Sequence, residues 1–169
     1  MKAAVPAHAL AASSSEDNFF GHHGRPAGAH PSLDLPSVQC RAGLGLEGDR
    51  FFGYRPDYGG QVTFFDWAAY VGIREDLAVP GLRPDAFRRN VIMEGVALRS
   101  LIGARFAVGG VEFEGMSEAK PCHWMDAAVA PGAEAWLKGR GGLRARILTD
   151  GFLRVGPAEL RSADLLALS

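Results

Sequence analysis

The chain has 169 residues, which predicts a single domain, because compact domains usually hold about 100 to 200 residues. Hydrophobic residues make up 47% of the sequence and charged residues 22%, so the chain can bury a core without disulfides or metals. The net charge of −1 excludes the strong positive field that general nucleic-acid-binding or membrane-surface proteins use.

The first ten residues, MKAAVPAHAL, carry a proline and a histidine where a secretory signal peptide has an unbroken apolar run. No stretch approaches the roughly 18 consecutive apolar residues that a membrane-spanning helix needs. We therefore expect a cytoplasmic protein with neither a membrane nor a nucleic acid as its partner.

Residues 13–36 predict a long loop, because they show no periodicity and are rich in Gly, Pro, His and Ser. His22, His23 and His30 lie in this loop, where they could supply a base or a metal ligand to a site elsewhere. Their spacing matches no standard metal site, which favours a solvated loop.

Short apolar runs between Gly and Pro turn signals predict a mainly β protein. The predicted strands are Ser37–Arg41, Gln61–Phe65, Asn90–Met93, Ala104–Val108, Val111–Glu114, Leu143–Leu148 and Phe152–Val155, with a further candidate at Glu159–Leu160. Their regular spacing indicates a barrel. Gly109-Gly110 predicts a tight hairpin because both residues accept a positive φ, and Asp150-Gly151 predicts a second hairpin.

Two helices interrupt the strands. Asp66 is the predicted N-cap of a helix over Trp67–Leu77, in which apolar residues recur with helical spacing. A second helix is predicted from Pro131 to Lys138 and ends at Gly139, as a C-terminal glycine favours.

The segment Gly43–Arg50 contains three glycines and ends in an acid-base pair. Its spacing fits the dinucleotide-binding pattern, but no helix begins at the following residues, Arg50–Gly53, and a P-loop would need Gly-Lys-Ser or Gly-Lys-Thr. Taken alone, the segment is a loop that connects two strands.

Six segments occur here in the order and spacing of one known family: Gly43–Arg50, Gly60–Thr63, Arg88–Val91, Gly103–Gly110, Pro121-Cys122 and Gly141–Leu143. Together they resemble the MOSC domain, which forms the C-terminus of molybdenum-cofactor sulfurases and also occurs alone in bacteria and in the mitochondrial amidoxime-reducing component. Residues Asn18–Gly24 resemble the N-terminal loop of a stand-alone subgroup. The resemblance covers about residues 38–155 and implies one domain over residues 1–169, a closed β-barrel with two or three peripheral helices.

The resemblance implies that Cys122 is the functional centre. In amidoxime-reducing relatives the matching thiolate ligates molybdenum, whereas in the sulfurases the domain binds the cofactor and receives sulfur. Arg88, Arg89 and Asn90 match a segment that contacts the pterin and phosphate of the cofactor. Lys120 departs from the acidic or small polar residue common in relatives, which changes the charge near Cys122, and the turn at Val155–Pro157 also departs from the common Gly-Asp.

The residues themselves support part of this interpretation. Pro121 fixes the backbone before Cys122, and Lys120 would project to the same face of an extended segment as the thiol, where a cation stabilises a thiolate. The alternative is a buried structural cysteine. His123 is badly placed to be the base of its neighbour, because adjacent side chains diverge. Cys40 is predicted to lie in the core, since it alternates with Val38 on one strand face.

Arginine outnumbers lysine fifteen to three, and residues 83–105 and 138–161 are locally basic. The planar guanidinium binds phosphate with two hydrogen bonds, so we expect Arg50, Arg88 and Arg89 to hold an anionic cofactor, together with the ammonium group of Lys120. The amide of Asn90 could read a planar heterocycle. The alternative for any single arginine is an ordinary solvated face, and the alternating Glu112, Glu114 and Glu118 indicate a polar outer face.

The sequence thus favours a protein that binds the molybdenum cofactor or a sulfurated form of it, with Cys122 as molybdenum ligand or persulfide carrier. The alternatives are a non-catalytic module that delivers sulfur or cofactor to a partner enzyme, and a cysteine-dependent transferase or hydrolase with a loop histidine as base. Pyridoxal phosphate is associated with the family, but the sequence contains no desulfurase domain and only Lys2, Lys120 and Lys138 as lysines. A reductase activity would need an electron-transfer partner, and a carrier would need a sulfur donor, so the residues leave open whether the protein is an enzyme.

Overall fold

A computed structural model describes residues 2–12 and 33–163 of the chain. Within these residues the strands are β1 (Lys2–Ala12), β2 (Leu33–Asp34), β3 (Ser37–Arg41), β4 (Gly45–Leu46), β5 (Val62–Asp66), β6 (Val91–Met93), β7 (Arg105–Val108), β8 (Val111–Glu118), β9 (Leu143–Ile147), β10 (Gly151–Arg154) and β11 (Gly156–Ser162). The α-helices are α1 (Trp67–Asp76), α2 (Trp124–Ala128) and α3 (Ala133–Leu137), and two 3-10 helices span Pro84–Phe87 and Leu98–Leu101.

Seven strands form a closed barrel in the order β11-β7-β8-β9-β5-β6-β1, and β1 closes it by pairing with β11. The strands β5 and β6 run parallel, joined by the crossover that contains α1, whereas the other neighbours in the barrel are antiparallel. A separate three-stranded sheet has the order β10-β3-β4. The predicted mainly β barrel with peripheral helices is confirmed.

Strand β1 was not predicted, although it completes the barrel. Its residues are mostly alanine, which has low strand propensity, and a proline such as Pro6 is unusual in a central strand. Pro6 is tolerated because it lies opposite Pro157 of β11, so neither residue presents an amide hydrogen that the other must accept.

The hairpin at Gly109-Gly110 is confirmed, with φ of 57° and 87° at the two glycines between β7 and β8. The hairpin at Asp150-Gly151 is wrong, because β9 pairs with β8 and β5, whereas β10 pairs with β3. The carboxylate of Asp150 accepts a hydrogen bond from the backbone nitrogen of Ala42 at 2.8 Å. Asp150 thereby anchors the turn after β3 and directs the chain into the second sheet.

The predicted helices are present with shorter bounds. Asp66 caps α1 as expected, since its carboxylate accepts from the backbone nitrogen of Ala68 at 3.0 Å. The second predicted helix shrinks to α3, Ala133–Leu137, and α2 is an additional helix directly after Cys122. No helix in the described part of the chain is long and apolar enough to span a bilayer.

Residues 13–32, with His22, His23 and His30, lie outside the described residues. Leu33 and Asp34 fall within the loop predicted over residues 13–36, but they form β2 and pair with the end of β1. This pairing brings the chain back beside Ala11 and Ala12.

Two apolar cores share the wall of the barrel, because successive residues of a strand face opposite sides. Phe64 points into the barrel, where its ring contacts those of Phe106 and Phe113 at centroid distances of 5.6 and 5.2 Å. Phe65 faces outward and packs against the helices, with its ring stacked on that of Phe87 at 4.6 Å. The helices are thus fixed to one side of the barrel.

Cys40, on β3 of the second sheet, belongs to the same buried apolar cluster as Phe64 and has 0% of its surface exposed, which confirms its predicted position in the core. Burial raises the pKa of its thiol from 9.0 to about 12. The folded protein therefore keeps this thiol protonated at a pH at which the unfolded chain ionises it. The resulting contribution to stability is fully present below pH 9.0 and is lost as the pH rises towards about 12.

We expect the free energy of unfolding to fall with pH more steeply in the wild type than in Cys40→Ala between pH 9.0 and about 12. The difference in slope should approach about 1.4 kcal/mol per pH unit. Urea unfolding at a series of pH values measures both slopes. Because the comparison uses slopes, the constant loss of core packing in the variant does not affect it, and parallel curves would contradict the prediction.

Candidate functional site

A cavity of about 370 Å³ lies where β8 ends and β6 and β9 begin. This volume falls in the range typical of small-molecule sites. The lining side chains come from the glycine-rich segment, the 3-10 helix Pro84–Phe87, the turn between β8 and α2, and the barrel strands. Segments far apart in the sequence therefore meet at one end of the barrel.

The structure brings together the six residues that sequence analysis assigned to the thiol and to cofactor binding, whereas the loop histidines lie outside the described residues. The six are Arg50, Arg88, Arg89, Asn90, Lys120 and Cys122, and each of them lines this cavity. Cys122 is half-buried in the turn between β8 and α2, and its carbonyl oxygen accepts from the backbone nitrogen of Met125 at 2.9 Å. His123 is exposed at the start of α2 and does not line the cavity.

The cavity is electropositive. Of the lining residues that the structure describes, Asp49 is the one carboxylate, whereas five are cations: Arg50, Arg88, Arg89, Lys120 and Arg144. Such a wall favours an anionic ligand, because a guanidinium donates charge-assisted hydrogen bonds to phosphate or carboxylate oxygens.

The pKa values of two arginines are lowered by burial and by neighbouring cations. The pKa of Arg88 is lowered to about 10, mainly by burial, with a smaller contribution from the charge of Arg50 in the same direction and an opposing one from Asp85. Burial also lowers the pKa of Arg89 to about 10, with a smaller contribution from Arg144 in the same direction and an opposing one from Cys122. Both guanidiniums stay charged at neutral pH, so a bound anion would offset the repulsion of Arg88 by Arg50 and of Arg89 by Arg144.

Arg89 holds the backbone around the cavity together. Its Nε donates to the carbonyl oxygen of Gly141 at 2.8 Å, its Nη1 to that of Phe87 at 3.0 Å and its Nη2 to that of Ala119 at 2.9 Å. Ala119 lies three residues before Cys122. The guanidinium therefore fixes the segment that carries the thiol relative to β9 and the 3-10 helix.

Asn90 forms a second group of bonds within the protein. Its Oδ1 accepts from both the backbone nitrogen and the hydroxyl of Thr63, each at 2.9 Å. Its Nδ2 donates to the carbonyl oxygen of Ala11 and to Oδ2 of Asp49, each at 3.2 Å. These bonds use both amide hydrogens, so in this structure the amide connects β1, β5 and the glycine-rich segment.

Sequence analysis missed several residues of the cavity wall, among them Asp49, Phe51, Tyr58 and Arg144. Asp49 is 8% exposed, and its carboxylate accepts a hydrogen bond from the backbone nitrogen of Phe51 at 3.0 Å. The sequence feature that could have identified it is its place as the acid at the end of the glycine-rich turn. Arg144 alternates with buried residues on β9, a pattern that any solvated face would show.

A metal site made wholly by protein side chains is not seen in residues 2–12 and 33–163, where no group of three or more His, Cys, Asp or Glu is placed to hold a metal ion. A metal at Cys122 would need most of its ligands from a cofactor.

Comparison with known proteins agrees with this architecture. The MOSC domain family model matches residues 41–158. The YuaD protein of Bacillus subtilis has a similar crystal structure, with a TM-score of 0.74 at 17% identity over 96% of this chain and 98% of that chain. YiiM from Geobacillus stearothermophilus gives a TM-score of 0.67 at 15% identity over 93% of this chain and 75% of its own.

YiiM from Escherichia coli gives a TM-score of 0.63 at 17% identity, over 96% of this chain and 70% of that chain. Similarity at such low identity shows a shared fold. Comparison with curated proteins gives no match.

Proposed function

The chain belongs to the MOSC domain family, and we propose that its cavity binds the molybdenum cofactor, with the Cys122 thiolate as the ligand that the protein gives to molybdenum. The family is associated with this cofactor. The observation that carries the proposal is the position of Cys122 on the wall of a cavity that also holds five cations.

The residues of the cavity fit such a group. The cofactor combines a soft, sulfur-ligated metal with a flat pterin and a phosphate or nucleotide tail, and a thiolate is a suitable ligand for a soft metal. Guanidinium groups suit the phosphate because they donate paired hydrogen bonds in one plane. When bound, the cofactor would supply redox chemistry at the metal, and the protein would supply binding and orientation.

We assign different roles to the cationic residues and to Asn90. Arg50, Arg88, Lys120 and Arg144 would bind the anionic part of the ligand. All three nitrogens of the Arg89 guanidinium donate hydrogen bonds to backbone carbonyls, so the main role of Arg89 would be to position the segment that carries Cys122. Asn90 would act in the same way by orienting Asp49 and Thr63, in place of direct contact with the heterocycle.

The metal role of Cys122 is tested with protein purified from a host that makes the cofactor. We expect molybdenum in the wild type and a loss of about tenfold or more in Cys122→Ala, since that variant lacks the protein ligand. Elemental analysis gives the ratio of molybdenum to protein, and fluorescence after oxidation gives the pterin content.

The matched control is Cys40→Ala, which removes the buried thiol that no ligand can reach. It should keep the wild-type ratio of molybdenum to protein. Equal molybdenum in the wild type and Cys122→Ala, or none in either when a relative is loaded in the same host, would refute the metal role.

A second candidate function is sulfur carriage, in which Cys122 holds a persulfide for a partner enzyme. It is favoured by the half-exposed thiol beside the exposed, cationic Lys120. Incubation with a cysteine desulfurase and cysteine should then add one sulfur atom to the peptide of Cys122, as measured by mass spectrometry. An unmodified peptide would exclude this role, and the Cys40 peptide serves as the internal control.

A further inference from the structure

Three aromatic rings, those of Phe51, Tyr54 and Tyr58, lie together on the segment that follows the glycine-rich turn. We call them the aromatic cluster. The ring centroids lie 5.5 Å apart for Phe51 and Tyr54, 5.4 Å for Phe51 and Tyr58, and 5.0 Å for Tyr54 and Tyr58. Phe51 and Tyr58 line the cavity, whereas Tyr54 is 59% exposed. The aromatic cluster is therefore continuous with the wall that carries Cys122 and the arginines.

The position of the cluster is fixed by contacts on several sides. The carboxylate of Asp49 accepts from the backbone nitrogen of Phe51 at 3.0 Å. The ring of Tyr58 packs on Gly60 so closely that a Cβ at position 60 would lie 2.9 Å from the tyrosine oxygen. Glycine at position 60 thus leaves room for the ring, and the aromatic surface is arranged before any ligand binds.

Guanidinium groups accompany the rings. The Cζ atom of Arg50 lies 4.5 Å from the centroid of Phe51, and that of Arg55 lies 5.2 Å from the centroid of Tyr58. Each guanidinium lies over a ring, so the surface combines π systems with hydrogen-bond donors. Binding an inorganic anion alone would make no use of the aromatic faces.

We propose that the aromatic cluster is a stacking platform for the flat heteroaromatic part of the ligand, while Arg50 and Arg88 bind its anionic part. The inference rests on the proposed function, which supplies a pterin, and it goes further by assigning the wall against which the ring lies. Stacking on an aromatic side chain gives substantial binding energy and tolerates different heterocycles, because it depends on the π face of the ring.

The test uses two metal-free probes, 6-carboxypterin, which has a flat ring and a carboxylate, and inorganic phosphate, which has only the anionic part. In Phe51→Leu and Tyr58→Leu we expect the dissociation constant for 6-carboxypterin to rise about tenfold. The constant for phosphate should stay within about twofold of the wild type. Calorimetric titration measures both, and circular dichroism confirms that each variant is folded.

The matched control is Phe52→Leu, since Phe52 is adjacent in the chain but does not line the cavity. It should bind both probes like the wild type. The platform would be refuted by equal affinity for 6-carboxypterin in Phe51→Leu and Phe52→Leu, by a parallel loss of phosphate binding, or by no saturable binding of 6-carboxypterin to the wild type.

The result can be separated from the test of the molybdenum site, because 6-carboxypterin carries no metal. If the stacking variants lose 6-carboxypterin while no protein carries molybdenum, the metal role fails and the platform stands. If molybdenum loads through Cys122 and the stacking variants bind 6-carboxypterin normally, the platform fails and the metal role stands.

Discussion

Replacing Arg89 with methionine should lower the free energy of unfolding by about 3 kcal/mol or more, because three backbone carbonyls lose their charged donor at once. Two of these carbonyls belong to Phe87 and Ala119, which both line the cavity and lie far apart in the chain. Their loss should also loosen the segment of Cys122 and raise the rate at which iodoacetamide alkylates this thiol.

The comparison that isolates this role is Arg144→Met. Arg144 is an exposed cation of the same cavity, so the variant removes the same charge without removing the three bonds. Its stability should stay within about 0.5 kcal/mol of the wild type. Arg89→Lys should rescue little, since one ammonium group cannot reach three carbonyls in the plane of a guanidinium. Equal losses in Arg89→Met and Arg144→Met would show that charge, and not the bonds, stabilises this region.

Replacing Gly142 with alanine should destabilise the fold by about 3 kcal/mol or more, for two reasons that add. The residue has a φ of +103°, which residues with a side chain rarely adopt, and a Cβ would lie 2.2 Å from the carbonyl oxygen of Phe64. That oxygen belongs to the barrel strand β5, so relief of the clash would require the strand itself to move.

Gly156→Ala is the control, because Gly156 has a similar φ of +115° with nothing within 4 Å of the added Cβ. It should lose only about 1 to 2 kcal/mol, the cost of the backbone conformation. Chemical unfolding of both variants gives the contribution of the clash by difference. Equal losses would mean that β5 yields to the added methyl group at little cost.

Local patterns in the sequence predicted much of the barrel. Alternation placed β3 at its observed bounds, and two adjacent glycines placed the hairpin between β7 and β8. The error at Asp150-Gly151 has a physical origin, because a turn signal shows that the chain reverses but not which strand will be the partner. Strand β1 escaped prediction because its stability comes from two barrel neighbours and not from its own alanine-rich residues.

The sequence allowed several residues of the site to be predicted, but not the hydrogen bonds that they form. Family resemblance selected Cys122, Arg89 and Asn90, and the structure places them around one cavity. The bonds of Arg89 and Asn90 go to backbone atoms and to residues up to 79 positions away, such as Ala11, so no local pattern shows them. The aromatic cluster was also hidden, since residues at positions 51, 54 and 58 have helical spacing in a segment that forms no helix.

The pairing of β1 with β11 constrains the order in which the protein can fold. Lys2 lies opposite Arg161, so β1, which leaves the ribosome first, can pair with β11 and close the barrel only after β11 has been synthesised. Contacts of such long sequence separation slow folding, because the entropy of loop closure is lost before the contacts form. During translation the nascent chain therefore exposes an unpaired strand edge, which favours temporary protection by a chaperone.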